Sequence, residues 1–262
     1  MKAIIPVAGA GTRLRPFTTT VPKPLLPVAG KPILAHLMDN LCDFGVDKFI
    51  IIVGYLGDKI RQFVEANYPG MAVFIEQERL LGLGYAVKLG LKECGEGPVI
   101  VALGDTIIEA DMSDFPLNTN LLGLHRVDNP QRFGIVELDG DRIVAMEEKP
   151  AEPKSDMAIA GFYYFKDSAK ILDALETIVE KGIKTRGEYQ LTDAMKLMLE
   201  RGESFRAKQI LGWFDCGTVA TLIETNKHLL EKVDTPESRG TVVFIPPVFV
   251  GKDTSIERCI IG

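Results

Sequence analysis

Ala3-Ile4-Ile5-Pro6-Val7-Ala8-Gly9-Ala10-Gly11-Thr12-Arg13-Leu14-Arg15-Pro16, followed by Pro22-Lys23-Pro24-Leu25-Leu26-Pro27-Val28, decides how the rest of the chain is read. The apolar run Ala3-Ile4-Ile5 predicts a buried first strand. A glycine turn leaving such a strand brings backbone N–H groups close to a phosphate, because no Cβ stands in the way. Arg13 adds a planar five-donor fork suited to phosphate oxygens. Lys23 stands between two prolines, which fix φ on either side and stiffen the loop that presents its ammonium. Strand, turn and cations together point to a nucleotide or a phosphorylated substrate.

Other readings of the turn fit less well. A dinucleotide fingerprint needs a third glycine where Leu14 stands. It also needs an acid at the end of the next strand, and Phe49-Ile50-Ile51-Ile52-Val53 runs into Gly54-Tyr55 instead. No Gly-Lys-Ser/Thr follows, so the turn is not a P-loop. What remains beside the phosphate reading is a plain tight turn with solvated Arg and Lys.

Outward from this stretch, apolar runs at 48–53, 72–76 and 99–103 alternate with helical patterns at 33–44, 58–67 and 83–91. Leu34, Leu37, Met38 and Leu41 share one helical face, and Ile60, Phe63 and Val64 another. This rhythm predicts an α/β fold with a doubly wound, mostly parallel, Rossmann-like sheet, whose ligands bind at the carboxyl ends of the strands. Gly11 and Asp105 then lie at that edge. Short strands at 134–137, 143–146 and 159–165, with a turn at Asp139-Gly140-Asp141, predict a mixed β insertion lying against the first unit. Helical patterns follow at 168–181, 191–201 and 218–231. The tail, Val250-Gly251-Lys252-Asp253-Thr254-Ser255 and Ile256-Glu257-Arg258-Cys259-Ile260-Ile261, aligns at six residues, as in hexapeptide β-helix repeats. Two hexads fall short of one coil. Residues 1–238 are therefore read as one domain, and 239–262 as the start of an incomplete left-handed β-helix or as a plain strand and loop.

With 46% hydrophobic and 25% charged residues, the 262-residue chain has an ordinary globular composition. Its net charge of −6 argues against nucleic acid or an anionic membrane as the main partner. No apolar stretch approaches a membrane span, and no signal peptide is expected before the first strand. Cys42, Cys94, Cys216 and Cys259 form no C-x-x-C pair, so neither a zinc site nor a disulfide framework is expected, and a reducing cytoplasm is the predicted home.

Chemistry concentrates elsewhere. Leu103-Gly104-Asp105 ends a buried strand at the ligand edge, where a carboxylate suits a hard cation; a turn or Asx cap is the plainer alternative. Trp213-Phe214-Asp215-Cys216-Gly217-Thr218 offers a second carboxylate before a helix, which Asp215 or Thr218 could instead cap. Glu147-Glu148-Lys149-Pro150 sets an acceptor for sugar hydroxyls beside a cation for a sugar phosphate; alone it would read as a solvated charge run.

In this order the residues resemble the sugar-1-phosphate nucleotidylyltransferases, above all the glucose-1-phosphate thymidylyltransferase and uridylyltransferase branches. The signature G-x-G-T-R-L-x-P…P-K-P-x-L-P-V is matched over residues 9–28. The likeness recurs at Gln77 with Gly82-Leu83-Gly84, at Leu103-Gly104-Asp105, at Phe133-Gly134, at Glu147-Glu148-Lys149-Pro150 and at Gly161. It continues through Arg186-Gly187-Glu188 with Leu191-Thr192-Asp193 and through Trp213 to Thr218, so that it spans residues 1 to about 232.

The resemblance implies roles. Ala8, Gly9, Ala10, Gly11 and Thr12 would hold the nucleotide, with Leu103 and Gly104 beside it. Arg13 and Lys23 would be the catalytic cations, Arg13 on the triphosphate and departing pyrophosphate, Lys23 where the bonds exchange. Gln77 and Gly82 would read a pyrimidine. Gly134, Glu148, Lys149 and Gly161 would bind the sugar phosphate, and Asp105 and Asp215 would hold Mg²⁺. The implied reaction joins dTTP or UTP to a sugar-1-phosphate, with glucose-1-phosphate the expected sugar, and a homo-oligomer is expected. Leu81-Gly82-Leu83-Gly84-Tyr85-Ala86 leans to uridylyltransferases and residues 186–193 and 213–218 to thymidylyltransferases, so both bases stand. Two alternatives remain: a mannose-1-phosphate guanylyltransferase, and a catalytically silent sugar-nucleotide-binding regulator, which would be expected to lack part of the Arg13, Lys23, Asp105, Lys149 and Asp215 set.

Overall fold

The computed structural model describes residues 1–110 and 117–262. The first half runs β1 (Lys2–Pro6), the short pair β2 (Pro27–Val28) and β3 (Lys31–Pro32), α1 (Ile33–Asp43), β4 (Lys48–Val53), α2 (Gly57–Asn67), β5 (Ala72–Glu76), α3 (Leu83–Cys94), β6 (Val99–Ala102) and β7 (Thr106–Glu109). Then come β8 (Asn120–Arg126), β9 (Gly134–Asp139), β10 (Arg142–Glu148), β11 (Met157–Phe165), α4 (Ser168–Glu180), α5 (Leu191–Glu200), β12 (Phe205–Gln209), β13 (Gly212–Asp215), α6 (Val219–Leu230), β14 (Val242–Phe244) and β15 (Cys259–Ile261).

Among the described residues, nine strands form one sheet in the order β5-β4-β1-β6-β11-β8-β12-β10-β9. Its first four strands pair in parallel, in a doubly wound order. They are β-branched runs, and β1, β4 and β6 are buried on both faces. Strand alternation divides the core. Ile4, Ile50, Ile52, Val99 and Val101 face α3, α4 and α5 through Val87, Leu91, Leu175 and Met195. Ala3, Ile5, Phe49, Ile51 and Ile100 face α1 and α2 through Leu34, Met38, Ile60 and Val64.

The expectation of a mostly parallel sheet needs correction. β11 pairs antiparallel with both β6 and β8, β12 is parallel to β8, and β10 is antiparallel to β12 and β9. The second half is therefore mixed. Nor does it lie against the first unit: Phe162, Tyr163, Tyr164 and Phe165 pair edge-on with Ala102, Val101, Ile100 and Val99, continuing the same sheet. That central position explains why β11 is buried on both faces beyond Met157. Helix starts are locally encoded: Asp167 accepts from the Ala169 N–H at 2.9 Å, and Thr218 and Thr221 form a reciprocal capping box.

In the tail, Val242–Phe244 pairs in parallel with Cys259–Ile261, so a strand lies in only the second of the two hexads and its partner lies upstream of both. The Phe249 ring covers Gly30, where an ideal Cβ would come within 2.2 Å of it, and Val248 is buried. Among the described residues no helix is long and apolar enough to cross a membrane.

Candidate functional site

β1 and β6 run in parallel, so the loops leaving both emerge at one edge. After β1, Gly11 turns left-handed (φ 59°, ψ 38°) and opens a short 3₁₀ turn, Thr12–Leu14. Its carbonyl accepts from the Leu14 N–H and from Thr18 Oγ1, both at 2.9 Å. A Cβ there would stand 3.0 Å from Lys23 Cβ and 3.1 Å from Thr18 Cγ2, so glycine is required on both counts. Gly9 differs: its Cβ would meet nothing within 4 Å. Packing does not demand glycine there, and Gly9 is left exposed at the strand end. The Ala8 carbonyl is fixed by the Tyr55 N–H at 3.2 Å. Gly9, Thr12 and Arg13 are exposed and Ala10 is half-buried.

Lys23 sits in the 3₁₀ turn Lys23–Leu25 and is buried, its stem packed away and its ammonium donating to Asp105 Oδ2 at 2.5 Å. Asp105 follows β6 and precedes β7. Asp215 ends β13, and β7 and β13 form an antiparallel ribbon in which Asp215 faces Thr106. The Cys216 N–H donates to the Asp105 carbonyl at 3.1 Å. Two aspartates far apart in sequence are thereby set side by side. Burial raises the Asp215 carboxyl above the usual range and the nearby Asp105 charge raises it further; Lys23, Arg13 and Arg132 oppose them. A half-buried pair of carboxylates that repel each other is a donor set suited to a hard cation, which typically takes one or two carboxylates plus phosphate oxygens. Among the described residues no larger group of His, Cys, Asp or Glu gathers for a metal.

A second corner forms around Glu148. Its Oε2 accepts from Thr192 Oγ1 at 2.8 Å and its Oε1 lies 3.1 Å from Lys149 Nζ. Gly134 is pressed against both: a Cβ there would be 2.7 Å from Thr192 Oγ1 and 3.0 Å from Glu148 Oε2. Gly161 (φ 77°) lets β11 bulge beside Leu103, whose side chain a Cβ would meet at 3.0 Å, and its carbonyl accepts the Leu103 N–H at 3.0 Å. Gly104 packs on Val7, which a Cβ would strike at 2.2 Å. The two corners share a neighbour: the Tyr163 phenol is pushed up first by burial, then by the charges of Glu148 and Asp105.

Gln77 and Gly82, the residues expected to meet a base, lie at the end of β5 and the start of α3. Gln77 is buried, its backbone N–H donating to the Val53 carbonyl at 2.8 Å and its Nε2 to the Arg79 carbonyl at 3.1 Å. Gly82 (φ 111°) lies so close to Tyr189 that a Cβ would be 2.5 Å from its carbonyl oxygen.

Several participants carried no assigned role in the sequence reading. Thr192 orients Glu148, Arg132 adds charge near Asp215, and Tyr163 bridges the two corners electrostatically. Trp213 Nε1 is buried without a hydrogen-bond partner among the described residues, its ring against Phe133 and His125. Trp213 and Thr192 stood inside recognised motifs; Arg132 and Tyr163 carried no signal beyond their position beside Gly134 and Gly161. The histidines are occupied elsewhere: His36 at the Val28 carbonyl (2.9 Å), His125 at the Ile210 carbonyl (3.0 Å) and His228 at Glu109 (3.3 Å).

The family model described as nucleotidyl transferase matches residues 2–232. The bifunctional protein GlmU of Methanocaldococcus jannaschii is 39% identical over 237 residues, covering 90% of this chain and 56% of that protein. A glucose-1-phosphate thymidylyltransferase of Streptomyces antibioticus is 34% identical over 272 residues, covering 98% of this chain and 74% of that protein. Among solved structures, a candidate glucose-1-phosphate thymidylyltransferase from Bacillus anthracis, in complex with a sucrose, superposes with a TM-score of 0.76 at 28% identity, covering 90% of this chain and 98% of that one. The chain spans little more than half the length of the GlmU relatives it matches.

Proposed function

The chain belongs to the nucleotidyl transferase family, and from that premise we propose that it transfers a nucleotidyl group from a pyrimidine nucleoside triphosphate, dTTP or UTP, to a sugar-1-phosphate, with glucose-1-phosphate the first candidate. The observation that carries this reading is the pairing of Asp105 and Asp215 next to Lys23 at the edge where the Gly9–Gly11 turn opens.

The chemistry asks little of proton transfer. A phosphate oxygen of the sugar-1-phosphate attacks the α-phosphorus, one P–O bond forms, and the bond to the β-phosphate oxygen breaks in line to release pyrophosphate. The nucleophile is already ionised at neutral pH, so catalysis rests on bringing two polyanions together and neutralising them. In this reading Gly9, Gly11 and Thr12 present backbone donors to the nucleotide and Arg13 neutralises the triphosphate. Lys23 holds its ammonium at the exchange point, and Lys149 takes the sugar phosphate while Glu148 accepts from sugar hydroxyls. Asp105 and Asp215 would hold Mg²⁺, which would supply charge neutralisation when bound.

The test is pyrophosphate release from a panel of nucleoside triphosphates and sugar-1-phosphates, repeated with Asp105→Asn and Asp215→Asn. Turnover with a pyrimidine triphosphate, lost in each folded variant, is expected. Near-normal activity in either variant removes that residue from the site. Ligand binding without turnover in the unsubstituted chain would favour the silent regulator.

A further inference from the structure

Gly54-Tyr55 follows β4, where a dinucleotide-binding fold would place an acid, and has no part in the functional reading above. The structure sets it against the turn that leaves β1. Gly54 packs on Ala8, where a Cβ would come within 2.8 Å of the Ala8 carbonyl oxygen. Tyr55 then reaches both ends of the loop. Its N–H donates to the Ala8 carbonyl at 3.2 Å, and its phenol O–H donates to the Thr19 carbonyl at 3.1 Å. In the first turn of α2, Lys59 Nζ donates to the Thr20 carbonyl at 2.5 Å. All three acceptors are main-chain carbonyls, so it is the path of the backbone that is held. Between them lie Gly9, Gly11, Thr12 and Arg13. The segment that does the holding is itself tight. The Gly57 N–H donates to the Gly54 carbonyl at 2.9 Å, and Leu56 between them is left-handed (φ 54°). A leucine in that region is strained and persists only where its surroundings fix it.

We propose that Tyr55, seconded by Lys59, is a positioning residue that ties the two ends of the Ala8–Thr20 loop together and so holds its backbone and Arg13 in the arrangement that meets a triphosphate. The proposal rests on the functional reading above, in which this loop takes the nucleotide. A loop with free ends must be ordered when its ligand arrives, and that ordering is subtracted from the affinity. Tyr55 orders it beforehand, because one residue donates to both ends. Neither Tyr55 nor Lys59 is asked to touch the ligand. Their hydrogen bonds are exposed and individually modest, so each contributes a few-fold in affinity and not orders of magnitude.

Calorimetry on the 262-residue chain measures the Kd of UTP, with Mg²⁺ present, and of uridine, which has the same base and ribose but no phosphate. If dTTP binds more tightly, dTTP and thymidine take their places. Tyr55→Phe keeps the ring and removes the donor. It is expected to weaken the triphosphate about three-fold, Lys59→Met likewise, and the pair together about ten-fold. The nucleoside Kd should stay within about two-fold throughout, which also reports that each variant is folded. A second readout needs no ligand. Leu14 is buried, so trypsin cuts after Arg13 only when the loop opens, and the double variant should be cut about ten-fold faster than the parent. Weaker triphosphate binding with unchanged cleavage would make these side chains phosphate ligands and overturn the positioning role. Equal weakening of triphosphate and nucleoside would overturn it as well, since the effect would not pass through the phosphates. Variants that bind the triphosphate as the parent does also overturn it, whatever their cleavage rate, and leave the functional reading standing. A parent chain that binds neither UTP nor dTTP overturns that reading, and the positioning role with it.

Discussion

Arg13 and Lys149 are both exposed or half-exposed cations, yet their settings differ enough to separate their tasks. Arg13 follows the Gly11 turn and contributes to the field at Asp215, whereas Lys149 leans on Glu148. Arg13→Ala is expected to weaken use of the triphosphate, and Lys149→Ala to raise mainly the KM for sugar-1-phosphate; initial rates with each substrate varied in turn would show it. Equal effects on both substrates would mean that the division is wrong. Asp193 gives a prediction in pH. Its Oδ2 is buried without a hydrogen-bond partner among the described residues, and its carboxyl is raised by burial, against the Thr185 hydrogen bond, and further by Glu148. The unfolded carboxyl ionises first as pH rises, so the unfolded state holds fewer protons and stability falls through the carboxylate range. Asp193→Asn should therefore melt higher than the parent at neutral pH, with the gap closing below about pH 4, where both states are protonated. A gap that persists in acid would mean that charge is not its cause. Identities at this scale were legible because the Gly-Thr-Arg and Pro-Lys-Pro stretches are contiguous. The Lys23–Asp105 contact was not, because it joins two loops whose facing depends on the sheet.

Elements were legible where one physical signal dominated. The β-branched runs of β4 and β6 are long, apolar and flanked by helical periodicity, and they fall where expected. β8, with Asn-Leu-Leu-Gly-Leu-His-Arg, follows neither a two-residue nor a helical period and went unread; it lies between β11 and β12 in the sheet, with Leu122 and Leu124 in one core cluster and Leu121 in the other. The β7–β13 ribbon was invisible for a different reason. Each strand is four residues long, and the pairing that sets Asp105 beside Asp215 joins segments a hundred residues apart. The β9 start offers a test of how tightly one element is fitted to the site. Gly134→Ala would push a methyl into Thr192 Oγ1 and Glu148 Oε2, both side-chain ends that can yield. The stability loss should stay within about 1–3 kcal/mol. Displacement of Glu148 should lower kcat/KM for the sugar phosphate by about ten- to a hundred-fold. An alanine variant that melts far lower, or one with unchanged kinetics, would each contradict this division between fold and site.

For the whole molecule, a net charge of −6 is reconciled with the proposed anionic substrates by gathering cations locally, at Arg13, Lys23, Arg132, Lys149 and Arg186. The tail contributes none of them. It is tied to the rest through Val248, whose N–H donates to Thr235 Oγ1 at 3.2 Å, and through the Phe249 ring over Gly30 in the turn between β2 and β3. The proposed boundary at residue 238 therefore has a measurable meaning. Removing everything after Ser238 uncovers Gly30 and gives up one buried valine, a contribution of about 1.5–3 kcal/mol, so the melting temperature should fall by about 3–10 °C. The base preference should not move, because the tail is held at Gly30 and Thr235, neither of which is expected to meet the base. In the 262-residue and shortened chains alike, purine triphosphates should be at least about ten-fold poorer by kcat/KM than UTP or dTTP, since a buried amide left unpaired by the wrong base costs about 1–3 kcal/mol. A full chain that prefers ATP or GTP would overturn the pyrimidine assignment. A shortened chain that melts unchanged would show that the tail's contacts with Gly30 and Thr235 carry no stability, and one that changes its base preference would join the tail to the site.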